Sequence, residues 1–242
     1  MNFAEGEKKY TTSPIYVGSS VIGMRYMTGL VIACDTRLNY GSLAKFQNID
    51  DRIVQVNLNT MIGSAGEFSD FQEVTRILRE AALSDYLEGR SFMGPDEFTS
   101  YLSSLHYHKR SKMNPYWNST VMGGIDWNGN SVLYGIDQFG TLLKSDYMLQ
   151  GMAQYFCNAV IAPEYPRSPA DFSLEQTLDL LRKCFQTLFY RDTRAGDRIK
   201  FSIMDNSGGQ IIYEEKFENL KSEWNYERFK FQANEKIYLT NY

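Results

Sequence analysis

Gly18-Ser19-Ser20, followed one turn later by Gly29-Leu30-Val31-Ile32-Ala33-Cys34-Asp35-Thr36-Arg37, is the stretch on which the fold turns. A small hydroxyl residue behind a glycine heads one apolar strand, and a carboxylate stands at the far end of the next. Working outward, residues 15–26, 29–36, 52–58 and 60–65 are rich in Val, Ile and Met and read as strands. Ser69-Asp70-Phe71-Gln72 reads as a capping box opening a helix, with Phe71, Val74, Leu78 and Ala81 on its apolar face. A second helix follows Gly94-Pro95, with Phe98, Tyr101, Leu102 and Leu105 as its buried stripe and Lys109, Arg110 and Lys112 at its end.

Residues 117–127 and 131–137 form the next strand pair, joined at Asn128-Gly129, and 141–144 extends the sheet. A third helix covers 151–162 and stops before Pro163. A fourth opens on the capping box Ser173-Leu174-Glu175-Gln176 and aligns Leu174, Leu178, Leu181, Phe185 and Leu188. It delivers a second carboxylate in Tyr190-Arg191-Asp192. Strands 199–205 and 210–217 close the pattern. Each helix pair needs a sheet face to cover, and those sheets must hide their other faces, so two stacked sheets with helices outside satisfy the count.

The 242 residues carry a net charge of −4, which argues against a nucleic-acid-binding surface. No Pro/Gly/Ser-rich linker or repeat divides the chain, and no apolar run suits a signal core or a membrane span. Cys34, Cys157 and Cys184 lie far apart in apolar patterns and read as reduced and buried, as in a cytosolic or nuclear protein. His106 and His108 sit two apart on a helix and point to different faces, so neither a metal nor a cofactor is expected. Asn118-Ser119-Thr120 matches a glycosylation acceptor by chance inside a strand, and Gly123-Gly124 reads as a close backbone approach.

The pairing of Gly18-Ser19 with Asp35 and Asp192 resembles the proteasome β-type subunits, a branch of the N-terminal-nucleophile hydrolases. Thr11-Thr12-Ser13-Pro14-Ile15-Tyr16-Val17-Gly18, Tyr40-Gly41-Ser42-Leu43, Leu188-Phe189-Tyr190-Arg191-Asp192 and above all Lys109-Arg110-Ser111-Lys112-Met113-Asn114-Pro115-Tyr116-Trp117-Asn118 are similar to one non-catalytic member of that family. The resemblance runs from about residue 11 to 224. It implies an α+β fold, a four-layer α-β-β-α sandwich. In catalytic members a threonine freed behind a glycine attacks the peptide carbonyl, and its own amine is the base; a hydroxyl needs such an acceptor.

Carried over residue by residue, Ser19 stands at the nucleophile position and Asp35 at the first carboxylate. Arg52 falls where the family has a lysine, if Asp50-Asp51 holds a one-residue insertion. Arginine stays protonated and cannot pass a proton. Asp192 is the second carboxylate, Ala195 replaces a serine, and Gly151-Met152-Ala153-Gln154 replaces a Gly-Ser-Gly-Ser stretch. On the residues alone, Asp35 and Asp192 read as structural carboxylates that cap turns or pair with Arg37, Arg52 or Arg191, because a buried charge is normally kept paired.

The expected role is therefore a non-catalytic structural subunit of the 20S core particle. The alternatives are a peptidase using Ser19 after cleavage at Gly18, and a scaffold outside any proteasome. The resemblance implies a propeptide at 1–10 cut before Thr11, a β-type domain at 11–220, and a C-terminal extension at 221–242. It implies partners too: other α- and β-type subunits in a 28-subunit stack of four seven-membered rings, with flanking β subunits, the α ring and the opposite β ring as neighbours, and no nucleic acid or membrane. Lys112, Trp117, Trp224, Tyr226, Phe229 and Phe231 are interface candidates, the last four in a tail too aromatic for a solvated one. Cytoplasm and nucleus are the expected locations.

Overall fold

A computed structural model of the chain describes residues 14–41, 43–89, 93–206 and 210–217. The cut before Thr11, Ser42 and the tail residues Trp224, Tyr226, Phe229 and Phe231 lie outside the described residues. The first sheet is built from β1 (Tyr16–Gly18), β4 (Leu38–Tyr40), β5 (Leu43–Phe46), β6 (Ile53–Asn57), β7 (Thr60–Glu67), β8 (Asn118–Ile125), β9 (Ser131–Ile136) and β10 (Leu142–Lys144). Its strand order is β10-β9-β8-β7-β1-β4-β5, with β6 paired to β7. The second sheet takes β2 (Ser20–Tyr26), β3 (Gly29–Asp35), β11 (Tyr147–Gly151), β12 (Arg198–Asp205) and β13 (Gln210–Lys216) in the order β11-β2-β3-β12-β13. Every strand pairing among the described residues is antiparallel.

Strand periodicity explains the layering. Val21, Leu30, Ile32 and Cys34 point one way, onto Met61, Ala65, Val121 and Leu133 of the first sheet. Their neighbours Ile22, Met24, Val31 and Ala33 point the other way, onto Leu178, Leu181, Phe185 and Leu188. Those last belong to α5 (Leu174–Arg191), which with α3 (Ala153–Phe156) and α4 (Asn158–Glu164) covers the second sheet. Helices α1 (Phe68–Leu87) and α2 (Pro95–Ser111) cover the first through Phe71, Val74, Leu78, Phe98 and Leu102, packed on Ile62 and Met122. The result is the expected α-β-β-α sandwich. Gly123 allows the sheets to meet: a Cβ there would lie 2.2 Å from Leu30 Cδ1.

Several local readings need correction. The strand expected over 15–26 breaks at Ser19, with β1 in one sheet and β2 in the other. The first helix begins at Phe68, not behind a box at Ser69, because Glu67 is the N-cap residue and Ser69 Oγ donates to its Oε1 at 2.8 Å. Tyr101 is exposed on α2. The helix expected over 151–162 divides at Cys157, and Pro163 lies inside α4. The short strands β4, β5 and β11 went unanticipated. The capping box on α5 is present in full, Gln176 N donating to Ser173 Oγ and Ser173 N to Gln176 Oε1.

His106 is fully buried on α2 with Nδ1 2.9 Å from the Asp137 carbonyl, while Nε2 has no partner among the described residues. Burial lowers its pKa below the ordinary 6.5, against the opposing pull of Asp137. Below that pH the unfolded chain takes up a proton that the folded chain resists, so stability present above pH 6.5 is lost as the pH falls. The Tm advantage of the wild type over His106→Gln is expected to shrink between pH 7.5 and roughly pH 5.5. An advantage constant across that range would rule the effect out.

Candidate functional site

Ser19 is the one residue between β1 and β2, where the chain steps from the first sheet to the second. It is buried, and its Oγ donates to Asp192 Oδ2 and lies 3.2 Å from Ser20 Oγ. Asp192 is the C-cap residue of α5, so the amphipathic helix that packs on β2 and β3 also sets this carboxylate. The other oxygen of Asp192 accepts the Arg194 amide at 2.9 Å.

Asp35 ends β3, where Oδ2 accepts the Gly196 amide at 3.1 Å and Oδ1 accepts Arg52 Nη1. Arg52 is the last residue of a 3-10 turn, Asp50–Arg52, and is 1% exposed. Its Nη1 also reaches the Asp35 carbonyl at 2.6 Å, and Nη2 reaches the carbonyls of Ser20 at 2.9 Å and Ser64 at 3.3 Å. Burial opposes the guanidinium charge, but Asp35, with a further contribution from Cys34, outweighs it and holds the Arg52 pKa above its ordinary value. One cation thus ties β2, β3 and β7 together. It also fills the space beside Gly18, where a Cβ would lie 2.4 Å from Arg52 Nε. Next to it, burial pushes the Cys34 thiol up to about 12, with Arg52 pulling only partly the other way.

Ala195 is buried at the same place, its carbonyl accepting Arg37 Nη1 at 2.9 Å. Gln154 is exposed and lines, with Ser19, Gly66, Trp117 and Arg194, a pocket of about 260 Å³. Ser19, Asp35, Arg52, Asp192, Ala195 and Gln154 therefore converge on one end of the sandwich. Trp117 lines the same pocket, its backbone held by donating to Asp70 Oδ2 at 2.7 Å and accepting from Glu67 N at 2.8 Å. Lys112 is exposed at the C-cap of α2 and stands apart from the cluster. A larger groove of about 410 Å³ lies at the start of β7, lined by Leu58, Asn59 and Trp127, and holds none of this chemistry. Sequence reasoning passed over Glu67, a buried carboxylate at the rim whose signal was only its place after Ala65-Gly66. Among the described residues no cluster of His, Cys, Asp and Glu is arranged to hold a metal ion.

A family model described as proteasome subunit matches residues 15–204. This chain belongs to the proteasome subunit family. Proteasome subunit beta type-4 of Xenopus laevis is 33% identical over 207 residues, covering 85% of this chain and 84% of that protein. The Arabidopsis thaliana protein of the same name is 32% identical over 231 residues, 95% of this chain and 90% of the relative. Proteasome subunit beta type-7 of Saccharomyces cerevisiae is 29% identical over 210 residues, 82% and 77% respectively. In this proteasome subunit the matched span takes in the five α-helices of the described residues and the strands from β1 into β12, stopping before β13, and it includes every residue converging on Ser19.

Proposed function

We propose that this chain is a non-catalytic structural subunit of the 20S proteasome core particle, completing a β ring and bridging the two β rings. Arg52 carries the reading. Where proton transfer needs a group that can lose a proton, the chain has a guanidinium bonded to Asp35 and to two strand carbonyls. Ala195 supplies no hydroxyl, and the Ser19 nitrogen has no base function while it is joined to Gly18. The likeness to proteins named beta type-4 supports the same reading.

Its partners in this reading are the α- and β-type subunits of a 28-subunit stack that degrades ubiquitin-tagged and other proteins in cytoplasm and nucleus. Lys112 and Trp117 serve contacts with neighbours, and the 221–242 tail reaches the opposite ring. The particle is expected to yield a mature chain starting near Thr11, with Ser19 still in peptide linkage, by intact-mass and N-terminal analysis. Ser19→Ala should leave every peptidase activity of the particle within experimental error of wild type. A chain starting at Ser19, or an activity lost with S19A, would instead establish an N-terminal nucleophile.

A further inference from the structure

An exposed strand edge offers a row of backbone N–H and C=O groups with which an extended peptide can pair. β4 and β7 would present two such edges next to Ser19, but β1 lies between them. Tyr16 stands opposite Tyr40 and Val17 opposite Asn39 on one side; Val17 stands opposite Glu67 and Gly18 opposite Gly66 on the other. Without β1 the two edges would face each other across two strand spacings, roughly 9.5 Å, which is room for one peptide strand. The strand filling that slot is the chain's own, ending one residue before Ser19.

Three residues make few ladder bonds, so β1 needs another hold. Glu67 provides it. This carboxylate, 7% exposed, accepts the Ile15 and Tyr16 amides on Oε2, the latter at 3.0 Å, and Ser69 Oγ on Oε1 at 2.8 Å. Its own amide is fixed to the Trp117 carbonyl, so the acceptor cannot drift. Hydrogen bonds to an ionised acceptor are roughly twice as strong as neutral ones. The Tyr16 ring rests on Tyr40 and Phe46 at 5.6 and 5.8 Å between centroids, and Arg52 blocks the Gly18 end.

We propose that residues 15–18 are a built-in strap that closes the strand slot beside Ser19, and that Glu67 is its latch. Glu67 is a positioning residue and touches no substrate. The inference rests on the non-catalytic reading of the site and supplies the means by which the chain excludes peptide from it. Hydrogen exchange on the full-length chain tests it, comparing wild type with Glu67→Gln. Amides of Ile15 to Gly18 should exchange slowly in the wild type and about tenfold to a hundredfold faster in E67Q, as expected when a bond to a charged acceptor is weakened. Amides of β3 and β12 should hold their protection. A labelled extended peptide of alternating apolar residues should bind E67Q and not the wild type.

Glu67→Asp keeps the charge but withdraws the carboxylate by one methylene; it guards against global unfolding of E67Q and should also speed exchange of the strap alone. Equal strap exchange in wild type and both folded variants, or equal peptide binding, would overturn the proposal. Acylation of Ser19 by a serine-reactive probe is scored separately. Labelled wild-type Ser19 with a protected strap would sink the non-catalytic reading, whereas an unprotected strap with unlabelled Ser19 would sink the strap alone.

Discussion

Arg52→Met is expected to destabilise the chain by about 3–5 kcal/mol, because it leaves a buried carboxylate without its cation. Asp35 is itself only 1% exposed, and among the described residues the Gly196 amide is its remaining hydrogen-bond partner. The carbonyls of Ser20 and Ser64 would also lose their Nη2 donor. Urea unfolding of the purified chain reads the loss as a lower midpoint at unchanged slope. The double variant R52M/D35L removes both charges and should recover most of it, since an ion pair exchanged for apolar groups is often close to neutral. Arg52→Lys should fall between the two: the ammonium keeps the charge but cannot span Asp35 and both carbonyls at once. An R52M no less stable than the double variant would show that the pair does not hold the sheets.

Gly66→Ala is the second substitution with a large expected effect. Gly66 has φ +103°, a region that a Cβ disfavours, and the added carbon would lie 2.2 Å from the Trp117 carbonyl oxygen. Backbone strain contributes about 1–3 kcal/mol, and displacing β8 adds about 1–3 more. Gly129→Ala isolates the first contribution, because Gly129 also has positive φ, +80°, but has nothing within 4 Å of a Cβ. It should cost only the strain, about 1–2 kcal/mol. Matched thermal unfolding of the two variants decides it, and equal losses would remove the steric part of the argument. G66A should also loosen β1, which pairs with Gly66 through Gly18.

The layers were legible because the central strands bury both faces, so β3 reads as six apolar or small positions followed by Asp35. The helix α5 was legible because its stripe and its capping box agree. The break at Ser19 was not, since the apolar pattern continues through it and only pairing partners tell β1 from β2. β4 and β5 are three and four residues long, at or below the shortest run in which alternation carries a signal. The start of α1 was misread for a related reason: Ser69 has cap chemistry, yet its hydroxyl is drawn to Glu67, whose role depends on Ile15 and Tyr16, some fifty residues away in sequence. At the site, the position of Arg52 could be found only by allowing an insertion at Asp50-Asp51. What it bonds is a matter of three strands meeting, which no spacing encodes.

The contact between Gly18 and Arg52 makes the two positions depend on each other. With the guanidinium in place, residue 18 cannot acquire a side chain, because a Cβ would meet Nε at 2.4 Å. With the guanidinium gone, Asp35 is stranded. Residues 18 and 52 are therefore interlocked: neither can be exchanged alone without a cost in stability, and a tolerated exchange at one requires a matching exchange at the other.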